Sequence, residues 1–226
     1  MPSAQAARSW CLVLLATTLW AAGPKEEATR YQVSWPSGLS LGDGELVSTK
    51  DGDKWKFTLK LEAAIPGFKV QDVFRSTVDR NLCSVELVKD STHGTRKAKE
   101  TSSYAPPTGT RVTSDGGGKS EFPVPACAHD ALGFLFVVRD QLAKGKVPAP
   151  QQIFFGAAYD VRFVLVGAEK VTVGEILTDT EHFKITVKGP SSRFEFDAYF
   201  AKDEARTLAL VRVPFMMGNF SLEWVR

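Results

Sequence analysis

His129-Asp-Ala-Leu-Gly-Phe-Leu-Phe-Val-Val-Arg-Asp-Gln-Leu142 is the one stretch of this chain that reads convincingly as a helix, and it is apolar on nearly every side. Helices without a polar face are usually buried. Asp130 stands where its carboxylate can accept hydrogen bonds from the free amides of the first turn. At the far end Lys144-Gly145-Lys146 stops the helix, and Pro148 forbids a restart. The spacing predicts a helix over 130–143. Its few polar residues, Asp130, Arg139 and Asp140, must be paired or turned to solvent.

On both sides of this segment the sequence alternates with the period of strands. Lys54-Trp-Lys-Phe-Thr-Leu-Lys-Leu61 is the cleanest case, with Trp55, Phe57, Leu59 and Leu61 on one face and Lys54, Lys56, Thr58 and Lys60 on the other. Arg193-Phe-Glu-Phe-Asp-Ala-Tyr-Phe200 and Phe183-Lys-Ile-Thr-Val-Lys188 repeat the pattern. Further strands are predicted at Tyr31–Trp35, Glu45–Thr49, Phe68–Asp79, Cys83–Lys89, Thr95–Tyr104 and Ile153–Phe155. Later in the chain they fall at Tyr159–Val166, Lys170–Leu177, Thr207–Val213 and Phe220–Trp224. Gly42-Asp43-Gly44, Asp51-Gly52 and Gly167-Ala168 read as turns, and Glu181-His182 as a solvated turn. From Ala105 to Ala126 the four prolines Pro106, Pro107, Pro123 and Pro125, with Gly109 and the triplet Gly116-Gly117-Gly118, predict a flexible loop over 105–126. The triplet lacks the following Lys-Ser/Thr of a nucleotide loop.

Short links make sequential strands antiparallel neighbours. A twisted sheet of about ten or more strands curls, and its concave apolar face must be filled. The expected fold is mainly β: a curved antiparallel sheet or open β-barrel wrapped around one buried α-helix, forming a single domain over 24–226.

Residues 1–23 read as a secretory signal peptide, with Arg8 before the apolar run Trp10–Ala22 and small residues at Ala21, Ala22 and Gly23. Trp20 and Pro24 are unfavourable around a cleavage point, so an uncleaved anchor is the second reading. No later stretch is long and apolar enough for a membrane-spanning helix. Export leaves Cys83 and Cys127, which read as a disulfide or as two buried free thiols. Fifteen Phe and five Trp in 226 residues exclude disorder throughout. A net charge of +2, with acids and bases interspersed, gives no footprint for nucleic acid.

No catalytic, cofactor or metal signature emerges. His129-Asp130 lacks a nucleophile placed by sequence and reads as a cap. Cys127 reads as a disulfide partner rather than a nucleophile. Asp43-Gly-Glu45 and Asp51-Gly-Asp53 lack the ligand count of a calcium loop. Met216-Met217, beside Phe215, form a soft apolar surface that suits core packing or the lip of a cavity. Trp55, Phe57, Phe194, Phe196, Phe220 and Trp224 carry the same two readings, core or cavity lining.

The strand ladder, the His129-Asp130-Ala131-Leu132 helix opening, Arg139 near its end and the closing strands from Val213-Pro214 to Leu222 resemble an exported bacterial family, domain-of-unknown-function family 3108. Pro214-Phe-Met-Met217 replaces a more polar run expected there. The resemblance implies an antiparallel β fold and a periplasmic or outer-envelope location in a Gram-negative-type bacterium, and it brings no reaction. The leading expectation is non-catalytic binding of an apolar or lipid-like molecule. The alternative is a structural component of an envelope assembly that acts through an envelope protein partner.

Overall fold

The structure, a computed structural model, describes residues 23–65, 68–114, 117–215 and 218–226. The signal-peptide reading and Met216-Met217 lie outside the described residues, apart from Gly23. Eight strands come first: β1 (Glu27–Ser34), β2 (Ser40–Asp51), β3 (Lys54–Ile65), β4 (Phe68–Val78), β5 (Ser84–His93), β6 (Arg96–Ala105), β7 (Thr108–Thr113) and β8 (Gly118–Pro123). The helix α1 (Ala131–Ala143) follows, and then β9 (Gln151–Phe154), β10 (Ala158–Val173), β11 (Ile176–Lys188), β12 (Arg193–Ala201), β13 (Leu208–Phe215) and β14 (Gly218–Val225).

Among the described residues fourteen strands form one antiparallel sheet around one helix, the expected mainly β fold. Its order is β8-β7-β6-β5-β4-β3-β2-β1-β14-β13-β12-β11-β10-β9. Two meanders, β1–β8 and β9–β14, meet where the first and last strands pair, with Tyr31 opposite Trp224 and Val33 opposite Leu222. The two outer strands, β8 and β9, do not pair with each other. Across that seam Phe122 and Phe154 meet with ring centroids 5.5 Å apart, and the Arg111 guanidinium donates to the Gly156 carbonyl. The sheet is thus an open barrel.

Four local expectations are corrected. Residues 105–126 hold β7 and β8; Pro106-Pro107 falls in the tight turn between β6 and β7, and Gly118 opens β8. The edge strand β8 and its neighbour β7 are short and polar and carry little apolar alternation, so their composition resembles that of a loop. Gly167 marks no turn: β10 runs from Ala158 to Val173 with a bulge between Leu165 and Gly167, and the chain reverses at Gly174, whose φ of 60° favours glycine. Gly42-Asp43-Gly44 and Glu181-His182 likewise lie inside β2 and β11. The bulge shifts the far end of the β10–β11 hairpin so that Val171 and Val173 pack with Tyr199, Ala201, Ala209 and Leu210 in a small separate core.

Helix α1 is apolar all round because it is wedged between the two meanders. Phe134, Val138 and Leu142, at i, i+4 and i+8, pack on Val161, Phe183, Ile185, Ala198 and Phe200 of the second. Leu132 and Phe136 pack on Tyr31, Leu46, Phe57 and Val78 of the first. Its polar residues are paired. Arg139 forms a bidentate pair with Glu27 at the start of β1 and donates to the Ala205 carbonyl at 2.8 Å.

Candidate functional site

Helix α1 is held off-centre. The Asp130 carboxylate caps it, accepting from Leu132 N and Gly133 N at 2.9 Å, and also accepts from Ser76 Oγ on β4 and Ser84 Oγ on β5 at 2.6 Å. Gly133 lets the helix press on β4: a Cβ there would stand 2.9 Å from Val78 Cγ1. Phe136 stacks on Phe57 of β3 with centroids 3.6 Å apart and planes 7° from parallel. The Cys83–Cys127 disulfide forms and fastens the segment before the helix to the β4–β5 corner. The backbone of α1 lies beside β4, β3 and β9.

The consequence is a space on the other side. Between α1 and the concave face of β10–β13 lies an apolar trough of about 630 Å³. Ala131, Phe134, Leu135 and Val138 of α1 form one wall. The other is built from Val161 and Phe163 of β10, Ile185 and Val187 of β11, Phe194, Phe196, Ala198 and Phe200 of β12, and Leu208, Val211 and Val213 of β13. Ile153, Phe155 and Tyr159 close one end, and among the described residues no acidic, basic, histidine or cysteine side chain lines the space. At the rim Phe194 is 55% exposed and Val213 41%.

Of the residues singled out in the sequence, Phe194 and Phe196 line this trough. Phe57 is fully buried under Phe136, while Trp55 and Trp224 pack half-buried against the core of the first meander. Phe220 meets Trp35 edge-on at 4.7 Å. Sequence reading missed Phe163, Ile185, Val187, Val211 and the helix residues. The strand residues stand on the inward faces of their strands, but only the cross-strand register shows that these faces converge.

The perturbed titratable groups lie elsewhere. Burial pushes the Asp130 carboxyl up against the pull of its four donors, and burial lowers His129, whose Nδ1 lies 3.1 Å from the Leu82 carbonyl. Burial also raises the Tyr31 and Tyr104 phenols. His182 bridges Asp197 at 2.8 Å and Glu169 at 3.2 Å and stacks on Tyr199, with centroids 4.3 Å apart. Its strand neighbour Phe183 belongs to the core around α1, so His182 faces away from the trough.

An open antiparallel barrel around a single helix defines a β-barrel-like protein. The crystal structure of a β-barrel-like protein of the domain-of-unknown-function family DUF1849 from Brucella abortus has this fold. It superposes with a TM-score of 0.58 at 8% identity, over 88% of this chain and 95% of that one. A candidate lipoprotein from Parabacteroides distasonis matches at a TM-score of 0.35 and 10% identity, over 90% and 96%. No curated protein matches the sequence. Residues 30–225 match the family described as Protein of unknown function (DUF3108), and the chain belongs to it.

Proposed function

We propose that this protein is a non-catalytic binding protein for an apolar or lipid-like molecule, held in the trough between α1 and β10–β13. The observation that carries this reading is the off-centre helix, which leaves about 630 Å³ lined almost wholly by apolar side chains. Pockets for single small ligands fall at roughly 300–1,000 Å³ and are mostly apolar. The Cys83–Cys127 disulfide supports an exported protein working in an oxidising compartment such as the periplasm or outer envelope. The scaffolding alternative, through a sheet edge, has less support. The outer strand β8 carries Lys119, Glu121 and Pro123, residue types that guard an edge against pairing.

The test uses 1-N-phenylnaphthylamine, a neutral probe that fluoresces in apolar surroundings. Wild-type protein is expected to enhance and blue-shift its emission. Ala198→Trp, which fills the trough, is expected to abolish the effect while the far-UV spectrum stays unchanged. Emission in the presence of wild-type protein equal to that in buffer would overturn the reading.

A further inference from the structure

On three neighbouring strands a residue lining the trough has a cation beside it in the chain: Val161-Arg162 in β10, Val187-Lys188 in β11 and Arg193-Phe194 in β12. The three lining residues form one cross-strand row, Val161 opposite Val187 and Val187 opposite Phe194. Neighbours along a strand point to opposite faces, so the cations stand on the outer side of that same row. Lys188 pairs in register with Arg193. A second groove, of about 460 Å³, is lined by Arg162, Lys188 and Arg193 together with Gln152, Asp160 and Thr186. It shares Val161 with the trough. Arg193 is ion-paired with Glu195 at 2.6 Å, whereas Arg162 and Lys188 make no ion pair among the described residues. Three cations against Asp160 and Glu195 leave a positive excess where the apolar trough ends.

We propose that the molecule held in the trough is an anionic amphiphile, its chain lying along the β10–β13 face and its head group drawn to Arg162 and Lys188. This rests on the trough being a binding site. An apolar wall that ends in unpaired cations suits a carboxylate or phosphate on a long alkyl chain. It disfavours a cationic head of the same length.

The experiment is displacement of 1-N-phenylnaphthylamine by hexadecanoate, hexadecan-1-ol and hexadecyltrimethylammonium, each below its aggregation concentration. Hexadecanoate is expected to bind roughly fivefold more tightly than the alcohol at low salt, as two solvent-exposed charge contacts allow. The gap should close at high salt. The Arg162→Gln/Lys188→Gln double variant is expected to lose this preference while keeping its affinity for the alcohol. Phosphatidylglycerol and phosphatidylcholine vesicles locate the source of the head group. Competition by the first alone, with hexadecanoate inert, also supports an anionic head and assigns it to a membrane phospholipid. Equal binding of the anion and the alcohol, or tightest binding of the cation, overturns the proposal and leaves the trough standing. If neither the neutral probe nor any amphiphile binds, the trough reading itself fails.

Discussion

Asp130 has no exposed surface, yet its carboxylate is met only by neutral donors: two serine hydroxyls and two backbone amides. Burial raises its pKa above the ordinary 3.8. The native state therefore holds the proton more readily than the unfolded chain does. The stability this contributes is fully present below 3.8 and is lost as pH rises through the folded pKa. Asp130→Asn keeps an acceptor for the cap and a donor for a serine, and is expected to lie within about 1 kcal/mol of wild type at neutral pH. Wild type should gain on this variant as pH falls toward 3.8. Asp130→Ala removes a cap worth about 1 kcal/mol and orphans two buried hydroxyls, for a loss of about 3 kcal/mol. Urea unfolding of the three proteins across this pH range checks both expectations. Gly133 behaves against its propensity for the same local reason. Alanine gains about 1 kcal/mol in a helix, but its Cβ would press on Val78, and overpacking costs about 1–3 kcal/mol. Gly133→Ala is expected to lose about 1 kcal/mol net, read as a lower urea midpoint at unchanged slope.

The position of α1 along its axis is set at its far end by Arg139, which is paired with Glu27 where neither side chain is more than 18% exposed. Removing one member of such a pair strands the other. Arg139→Met is expected to cost about 3–5 kcal/mol, and Arg139→Met/Glu27→Met to recover most of that loss, which a double-mutant cycle in urea measures. The helix itself was legible, because an apolar run closed by Asp130 and Gly145 has one reading. So were β3, β12 and the second half of β11 from Phe183 to Lys188, whose apolar and polar residues alternate in the sequence. What misled the reading were elements whose signal lies in their neighbours. In β8 the edge position brings Lys119, Ser120 and Glu121 in place of apolar side chains, and β7 beside it is short and polar, so only pairing identifies the two as strands. Gly167 has the composition of a turn, but its pairing with His182 makes it part of a bulge. The direction of Arg139 was also open in the sequence, since Glu27 is 112 residues away.

At the scale of the whole molecule, the first and last strands, β1 and β14, lie side by side in the middle of the sheet, and the two meanders are bound by their ladder and by α1 between them. Apolar alternation predicted a curled sheet around the helix. It held no information on where the helix would sit within the curl, and that offset creates the trough. The offset arises at one corner, where the disulfide joins Cys83 to Cys127 across 44 residues. Beside it Ser84 N donates to the Ala128 carbonyl at 2.8 Å, and Asp130 grips Ser76 and Ser84. The covalent and non-covalent parts of this clamp should separate on reduction. A loop of that length is worth about 4 kcal/mol in the chain-entropy model, acting on the unfolded chain. Cys83→Ser/Cys127→Ser is therefore expected to lower the guanidinium midpoint by a corresponding amount with no change in the native far-UV spectrum. Its affinity for 1-N-phenylnaphthylamine should stay within about twofold of wild type, because the hydrogen-bonded clamp still holds α1 against β4. A variant that folds but no longer binds the probe would show that the disulfide itself holds α1 in the position that leaves the trough beside it. The trough would then be open only in the oxidised protein.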